Sequence, residues 1–199
     1  MSDFDNIKCF GHWRQPVESE LTADFQSDWQ AQLGGNGDTS GVSRMVLHYM
    51  ALALNEAKKA FDKDEVPVGA VLVDNQTGKI IACAYNKTEH GLDPTAHAEI
   101  EVIKKGVKKL KTKRLWNTTL YVTLEPCTMC AAAISFARIE RLVIGAKDEK
   151  GGAVLSGVKF FESKTCHHKP DITAGVLEKE SAELLKTFFK TKRKNSSDI

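Results

Sequence analysis

The segments PTAHAE, residues 94–99, and EPCTMC, residues 125–130, contain side chains that can bind a metal ion together. Because the two segments are separate in the sequence, the fold must bring them together for such a site to form. His97, Cys127 and Cys130 supply one imidazole and two sulfurs, which are ligands that zinc prefers. A structural zinc normally has four protein ligands, whereas a catalytic zinc has three and keeps the fourth position for water. The two segments therefore predict a hydrolytic zinc centre with His97, Cys127 and Cys130 as its metal ligands.

The local sequence favours two thiolates on one face of a helix. Pro126 suits the first turn of a helix, because the N–H that proline lacks would have no partner there. The residues that follow, 128–134, are good or tolerable helix formers. Cys127 and Cys130 then share one face of the first turn, where the positive end of the helix dipole favours thiolates.

Glu99 is the residue that distinguishes an active site from a binding site. It follows His97 by two residues, so it is poorly placed to bind the same ion, but it can lie beside the position left for water. We predict that Glu99 is the catalytic residue and that it shuttles a proton between water and substrate.

Two other interpretations of these residues stay open at this point. A Cys-x-x-Cys pair also occurs in structural zinc knuckles and in redox sites. Cys166, His167 or His168 could supply a fourth ligand, which would close the metal site and leave Glu99 as an ordinary surface acid. A redox pair would leave both His97 and Glu99 without a role.

Length and composition set the class of protein. The chain has 199 residues, of which 42% are hydrophobic, which is enough for one core and gives no sign of two. No apolar run approaches the roughly eighteen residues that a membrane span requires, and the acidic start does not resemble a secretory or organellar signal. The five cysteines are an odd number, and two are needed as thiolates, which favours a reducing compartment. These features predict a cytoplasmic protein without a membrane segment.

Three regions follow one another along the chain. Residues 1–42 hold scattered aromatic residues and end in a glycine-rich stretch, so we interpret them as an N-terminal extension. Both a disordered arm and an additional RNA or partner contact are compatible with that extension. Residues 43–194 form the enzyme domain, and residues 195–199 form a polar tail.

The hydrophobic pattern predicts alternating helices and strands. Ser43 is a suitable N-cap for a helix that ends near residue 62, and further helices are predicted from about residues 96 and 127 and over residues 177–192. Short apolar runs predict strands at residues 69–74, 79–85, 119–123, 141–146 and 172–176. This order favours an α/β fold with a mixed sheet and helices on both faces. The helix starts that carry His97 and Cys127 then meet at the carboxyl ends of the strands.

Beyond the ligand motifs, three segments carry a family resemblance: residues 65–73, 93–99 and 120–127. They resemble the zinc-dependent nucleobase deaminases, whose signature is H-x-E with P-C-x-x-C, and within them the bacterial tRNA adenosine deaminases. The resemblance runs from about residue 43 to residue 193. It implies a three-layer α/β/α cytidine-deaminase-like fold with a five-stranded mixed sheet. It also implies one zinc ion per subunit, a homodimer, and deamination of adenosine to inosine at the anticodon wobble position of tRNA.

The same resemblance implies a nucleoside pocket. Asn86 stands where the family has an asparagine that hydrogen-bonds the flipped nucleoside, although an asparagine in a turn after a strand is also common. The backbone N–H of Ala98 is expected to contact the base. Glu65, Val68 and Leu124 are expected to line the pocket.

Contacts with the tRNA anticodon stem-loop are implied at two further places. The loop containing Lys147 and Asp148 resembles the one that contacts the anticodon strand, where Asp148 can accept a hydrogen bond from a ribose 2′-OH. Phe188 falls where the final helix contributes an aromatic ring to the nucleotide pocket. The chain departs from the family at residues 149–157, which lack the usual glycine and serine pattern, and at Thr187, which replaces an acid.

Basic residues concentrate in two stretches, although the net charge is only +2. Residues 104–114 contain seven lysine and arginine residues without an acid, and residues 186–194 place five around Phe188 and Phe189. Basic side chains with nearby aromatic rings suit phosphate contact and base stacking. A solvated helix face explains each stretch equally well.

Three functional hypotheses therefore remain from the sequence. The first is a tRNA adenosine deaminase. The second is a deaminase of free guanine or cytosine, which needs no basic tail. The third is a catalytically silent zinc protein that binds RNA or serves as a partner subunit.

Overall fold

A computed structural model describes residues 43–197 of the chain, so the predicted arm at residues 1–42 lies outside the described residues. The elements follow the order α1 (Arg44–Asp62), β1 (Gly69–Asp74), β2 (Ile80–Tyr85), α2 (Ala98–Leu110), β3 (Thr118–Leu124), α3 (Thr128–Ala137), β4 (Arg141–Ala146), a 3-10 turn (Phe160–Glu162), β5 (Asp171–Ala174) and α4 (Glu178–Ser197). Every predicted helix and strand is present. No helix in this part of the chain has both the length and the apolarity to cross a membrane.

The strands form one mixed sheet in the order β2-β1-β3-β4-β5. Strand β1 is antiparallel to both β2 and β3, whereas β3 with β4 and β4 with β5 are parallel. Strands β2, β3, β4 and β5 therefore all point the same way. Their carboxyl ends lie at one edge of the sheet, which is where open α/β sheets place their sites.

Two separate hydrophobic clusters cover the two faces of the sheet. One face packs against α2 and α3, and its fully buried residues include Leu72, Leu120 and Ile144. The other face packs against α1, and its buried residues include Val71, Tyr121 and Val143. Neighbouring residues along a strand thus point to opposite faces and are buried on both, as expected for strands covered on two sides. The three-layer α/β/α prediction is confirmed.

Helix α1 lies unusually close to the sheet at Gly69, the first residue of β1. A Cβ atom at that position would lie 2.1 Å from the backbone oxygen of Ala53 in α1. Only glycine permits this approach. The helix itself begins as predicted, because the Ser43 hydroxyl accepts a hydrogen bond from the N–H of Val46.

The boundaries of some elements differ from the sequence prediction. Helices α2 and α3 start at Ala98 and Thr128, so His97 and Cys127 are their N-cap residues rather than members of the first turn. Helix α4 continues past the predicted end at residue 192 to Ser197, which lies within the segment predicted as a polar tail. Helix ends depend on capping and side-chain contacts that periodicity does not reveal.

Candidate metal centre and active site

The three predicted metal ligands meet at the carboxyl edge of the sheet. His97 caps α2, and Cys127 caps α3, and neither side chain forms a capping hydrogen bond, so both ligand atoms are available for an ion. The Nδ1 atom of His97 lies 3.5 Å from Sγ of Cys130 and 3.7 Å from Sγ of Cys127. Cys130 is fully buried, whereas the other two ligands are partly exposed.

The arrangement fits a tetrahedral zinc ion. With Zn–S and Zn–N bonds of about 2.3 and 2.0 Å, ligand atoms of a tetrahedral site lie about 3.5–3.8 Å apart. The measured separations fall in that range, and all three ligand atoms lie within 4.8 Å of one another. No other group of three such side chains within residues 43–197 is close enough to share an ion.

The contact between Cys127 and Cys130 shifts the pKa values of the two thiols in opposite directions. The hydrogen bond from Cys130 lowers the pKa of the Cys127 thiol to about 4, and the contact with His97 acts in the same direction. The same contact with Cys127, together with burial, raises the pKa of Cys130. Cysteine binds zinc as the thiolate, so binding of a cation by both sulfurs requires both thiols to lose their protons.

The alternative fourth ligands lie elsewhere. Cys166 donates its S–H to the backbone oxygen of His168, and His168 contacts the backbone oxygen of Ile139 through Nε2 at 2.7 Å. The backbone of His168 also binds Ser135, in the last turn of α3, far along the helix from Cys127. His167 is exposed and uses its backbone oxygen for Arg138. The structure therefore contradicts a metal site closed by a fourth protein ligand from this segment.

Glu99 lies in the first turn of α2, beside the ligands, and is only 3% exposed. Burial raises the pKa of its carboxyl, which is partly opposed by a backbone hydrogen bond and by the nearby His97. A buried carboxyl with a raised pKa can exchange a proton near neutral pH. Glu99 is therefore a buried acid beside the three ligands and not a surface acid, and its role as a proton shuttle stays a prediction.

Asn86 and Ala98 contact each other directly. The Oδ1 atom of Asn86, which is 7% exposed, accepts a hydrogen bond of 2.8 Å from the backbone N–H of Ala98. The bond ties the end of β2 to the start of α2, one residue from His97 and one from Glu99. In this structure the Ala98 N–H is used by Asn86, and the predicted contact of each group with the base stays a prediction.

Glu65 holds the loop of residues 86–96 that leads to the metal centre. Its fully buried carboxylate accepts hydrogen bonds from the backbone N–H groups of His90 and Glu89, at 2.8 and 3.2 Å, and from the Thr88 hydroxyl. Burial alone would raise the pKa of Glu65, but these hydrogen bonds outweigh it and hold the pKa below its ordinary value. Both oxygens are committed to the loop, so the structure gives Glu65 a positioning role that the resemblance did not indicate.

Glu125 performs the same task for the loop of residues 147–157. Its Oε1 atom accepts three consecutive backbone N–H groups, from residues 154, 155 and 156, at 2.8 to 3.0 Å. Its Oε2 atom accepts the N–H of Asp148 and the hydroxyl of Ser156. The loop in turn pairs with the metal segment, because Gly152 forms a β-bridge with Cys127.

Glu125 is the first residue of the motif EPCTMC, but the sequence alone did not indicate a role for it. One signal for this role was present in the sequence. Gly151, Gly152 and Gly157 disfavour a helix or strand in this loop, so its backbone N–H groups need acceptors outside regular secondary structure. A buried acid beside such a loop can satisfy several of them together. The segment that departs from the family pattern is therefore an organised part of the site.

The other predicted pocket residues occupy the same edge of the sheet. Val68 is buried and its backbone oxygen accepts the N–H of Asn86. Leu124 is the last residue of β3 and is partly buried beside Ala146 of β4. Both positions are compatible with the walls of a pocket that opens toward His97.

The predicted RNA contacts are divided between surface and interior. Lys147 is exposed, and Asp148 is partly exposed and uses Oδ1 to accept the N–H groups of Lys150 and Gly151. Phe188, in contrast, is only 5% exposed and packs edge-on against Phe61 of α1. Phe188 therefore anchors α4 to α1 in this structure, and its contact with a nucleotide stays a prediction.

Comparison with known proteins identifies the class to which this fold and site belong. The model of the MafB19-like deaminase family matches residues 46–193. Guanine deaminase from Nitrosomonas europaea superposes with a TM-score of 0.60, covering 89% of this chain and 98% of that one, at 20% identity, which shows the fold alone. The fold and the ligand set thus define a deaminase.

More similar relatives specify the family further. The tRNA-specific adenosine deaminase of Agrobacterium fabrum is 59% identical over 146 residues, which cover 73% of this chain and 95% of that protein. The tRNA-specific adenosine deaminase of Bacillus subtilis is 47% identical, covering 73% and 89%. A solved structure from a study of A-to-I editing by tRNA:A34 deaminases at the wobble position of transfer RNA superposes with a TM-score of 0.68 at 59% identity, covering 69% of this chain and 99% of that one. The chain belongs to the tRNA-specific adenosine deaminase family.

Proposed function

We propose that the protein converts adenosine to inosine in tRNA, at the anticodon wobble position, with one zinc ion per subunit held by His97, Cys127 and Cys130. The observation that carries this proposal is the preformed three-ligand site with the buried Glu99 beside it. The relatives that share this architecture at 45–59% identity are tRNA-specific adenosine deaminases. Three protein ligands are the number found in catalytic rather than structural zinc sites.

The ion would supply Lewis-acid activation of a water molecule, which lowers the pKa of that water toward neutrality. Glu99 accepts the water proton and delivers it to N1 of the adenine ring as the oxygen adds to C6. Glu99 then carries a second proton from the added hydroxyl to the amino group, which leaves as ammonia. One water is consumed for each inosine and each ammonia formed.

Asn86 and Ala98 are proposed to orient the base. Their hydrogen bond places one amide side chain and one N–H beside Glu99, where both can exchange their mutual contact for contacts with a purine. Val68 and Leu124 supply apolar walls, and the buried Glu65 keeps the loop with Asn86 in position. Lys147, Asp148 and Phe188 are proposed to contact the anticodon stem-loop, as the family resemblance implies.

A homodimer in the cytoplasm completes the proposal. Helix α3 has the sequence TMCAAAISFA, which is apolar on every side, and its Phe136 is 62% exposed in the single chain. A helix without a polar face normally has a partner on each side. A second copy covering α3 supplies that partner, and Phe136→Glu should shift the protein from dimer to monomer in analytical ultracentrifugation.

The direct test is inosine formation by the purified, zinc-loaded protein. We expect inosine at the wobble position of tRNA, and no conversion of free guanine or cytosine. Conversion of a free base with no inosine in tRNA would reject the proposal in favour of a free-base deaminase.

Glu99→Gln separates an enzyme from a silent zinc protein. We expect the rate to fall by about 10² to 10⁴-fold, which is typical for loss of a general acid and base. The matched control is Glu101→Gln, because Glu101 lies in the same turn of α2 but pairs with Lys104 at the surface. Equal zinc content in both variants, measured by atomic absorption, would confirm that the loss is chemical. A wild-type protein that binds zinc and RNA but forms no inosine would support the silent alternative.

A further inference from the structure

Tyr85 lies at the rim of the candidate active site. It is the last residue of β2 and directly precedes Asn86. The next residue, Lys87, donates its backbone N–H to the oxygen of Ala96, one residue before His97, so this end of β2 is joined to the metal segment. Two lysines from different segments contact it. Lys63, at the C-cap of α1, donates to the Tyr85 hydroxyl at 2.6 Å, and the Nζ atom of Lys87 lies 5.3 Å from the ring centroid.

A third lysine comes from the basic stretch that the sequence analysis singled out. Lys105 of α2 donates to the backbone oxygen of Cys83, two residues before Tyr85 in β2, at 2.7 Å. Burial lowers the pKa of Lys105, and the neighbouring charge of Lys87 lowers it further. Lys63 and Lys87 at the Tyr85 ring and Lys105 at the Cys83 oxygen thus form one group at the end of β2, which we call the Tyr85 lysine cluster.

Several acids near this cluster have other partners. Glu56 pairs with Lys59, Glu101 with Lys104, and Asp64 with Lys192 of α4. Glu65 uses both oxygens for the loop of residues 88–90. Within residues 43–197, neither Lys63 nor Lys87 has a carboxylate within ion-pair distance. Lys63 and Lys87 are therefore not neutralised by an ion pair with a described residue.

We infer that the Tyr85 lysine cluster binds the phosphate groups of the RNA strand whose adenosine enters the active site. The inference rests on the proposed function and adds a path for the RNA backbone along the outer end of β2. Two ammonium groups at one ring and a third at the same strand end concentrate positive charge, which the phosphates of an RNA strand can neutralise. Phosphate contacts of this kind fix the register of a strand without reading its sequence.

The structure favours this cluster over the remainder of the basic stretch at residues 104–114. Lys104 is paired with Glu101, and Lys109 donates to the backbone oxygen of Ile80 in β2. Lys108, Lys111 and Lys113 are exposed and follow the helix away from its N-terminal end, which carries Glu99. The basic residues of 104–114 therefore do not act as one surface. Of this stretch, Lys105 alone belongs to the Tyr85 lysine cluster, together with Lys63 and Lys87 from other segments.

The test compares two double variants that remove the same charge. Lys63→Ala with Lys87→Ala removes two members of the cluster, whereas Lys164→Ala with Lys169→Ala removes two exposed lysines just before β5, at the opposite edge of the sheet. Binding of an anticodon stem-loop RNA is measured by fluorescence anisotropy over a series of salt concentrations, with full-length zinc-loaded protein. Thermal unfolding of each variant verifies that it is folded.

We expect the cluster variant to bind RNA on the order of tenfold more weakly, and the slope of log Kd against log salt to fall by about 1.4–1.8. The KM for tRNA should rise while kcat at saturating tRNA changes by less than about twofold, because the lost contact is equal in ground and transition states. The control variant should match wild type in all three measurements.

Unchanged affinity and salt slope in the cluster variant, with inosine still formed by wild type, would overturn the inference and leave the proposed function intact. Equal losses in both variants would also overturn it, since they would reflect net charge alone. Absence of inosine with wild-type protein would instead reject the proposed function. The two failures are therefore distinguishable in one set of experiments.

Discussion

The two loops that border the metal centre, residues 86–96 and 147–157, are each held by one buried glutamate, yet they depend on it to different degrees. The 86–96 loop has internal support, because the N–H of Lys87 bonds the backbone oxygen of Ala96 and Asp93 accepts two hydrogen bonds from Thr95. Glu65 adds contacts only at residues 88–90.

The 147–157 loop is organised around Glu125 itself. Five donors from residues 148–156 converge on the two oxygens of this carboxylate. Glu125 is also two residues from the metal ligand Cys127, whereas Glu65 reaches its loop from the segment between α1 and β1. The difference shows that one family motif can contain both a ligand and the side chain that shapes the neighbouring loop. It predicts that replacing Glu125 will destabilise the protein more than replacing Glu65.

Glu125→Ala should give the largest effect. It leaves three consecutive N–H groups, one buried and two partly buried, without an acceptor, and we expect a loss of about 3–5 kcal/mol in the free energy of unfolding. Hydrogen exchange should increase first in residues 147–157, as measured by mass spectrometry. Glu125→Gln keeps one carbonyl oxygen for those groups and should lose less.

The matched control for this change is Glu149→Ala, in the same loop but with an exposed side chain. It should leave both stability and exchange unchanged. If residues 147–157 of the Glu125→Ala variant exchange hydrogen at the same rate as in the wild-type protein, the carboxylate does not organise this segment.

Gly152→Ala tests the same loop without touching the glutamate. A Cβ atom there would lie 2.4 Å from the Asp148 backbone oxygen and 2.4 Å from Cδ of Glu125, both in fixed positions. We expect a loss of about 2–3 kcal/mol in unfolding free energy, as for overpacking of a filled site, together with weaker zinc retention through the bridge to Cys127. Competition with a chromophoric chelator measures that retention. Gly151→Ala is the control, because a Cβ atom there would lie 3.0 Å from Oδ2 of the partly exposed Asp148 and meets no backbone atom or buried side chain. A loss there as large as at Gly152 would argue against a specific clash.

The sequence predicted the elements, the layers and the three ligands because each has a local signature. Hydrophobic patterns indicated the helices and strands of residues 43–197, and Pro126 with the helix formers after it indicated a helix start near Cys127. The meeting of His97 with these cysteines followed from the common direction of β2 and β3. These features arise from patterns within a few residues or from general rules of topology.

The positioning residues could not be predicted in the same way. Glu65 and its partner His90 are separated by 25 residues, and Glu125 and Ser156 by 31, and no periodicity relates them. Phe188 is a further case, since its packing against Phe61 in the interior was not indicated by the sequence, and its predicted contact with a nucleotide stays untested. Long-range partners of polar groups are determined by the complete fold.

Glu65→Gln should have a smaller effect than either change in the 147–157 loop, and its size should depend on pH. The pKa of Glu65 is held below its ordinary value in the folded protein, so its contribution is complete above pH 4.5 and is lost as the pH falls through the folded-state pKa. We expect a loss of about 1–2 kcal/mol at neutral pH that diminishes on acidification. Urea unfolding from about pH 7 to about pH 2.5, which extends well below the ordinary pKa of a glutamate, measures it. Glu89→Gln, an exposed neighbour, is the control, and a difference from wild type that does not change with pH would contradict the role of the charge.

His90→Ala should have the smallest effect on the free energy of unfolding. It separates the contact of the His90 ring with Glu65 from the contact of the His90 backbone N–H with the same carboxylate. The ring Nδ1 atom lies 3.2 Å from Oε1 of Glu65, but the side chain is 64% exposed, and an ion pair of that exposure contributes at most about 1 kcal/mol. The backbone N–H of His90, at 2.8 Å from the same oxygen, is retained in the variant. We therefore expect a loss below about 0.5 kcal/mol and unchanged exchange in the 86–96 loop. A double-mutant cycle with Glu65→Gln measures the coupling, and a coupling energy as large as the whole effect of Glu65→Gln would show that the imidazole, rather than the backbone, holds this loop.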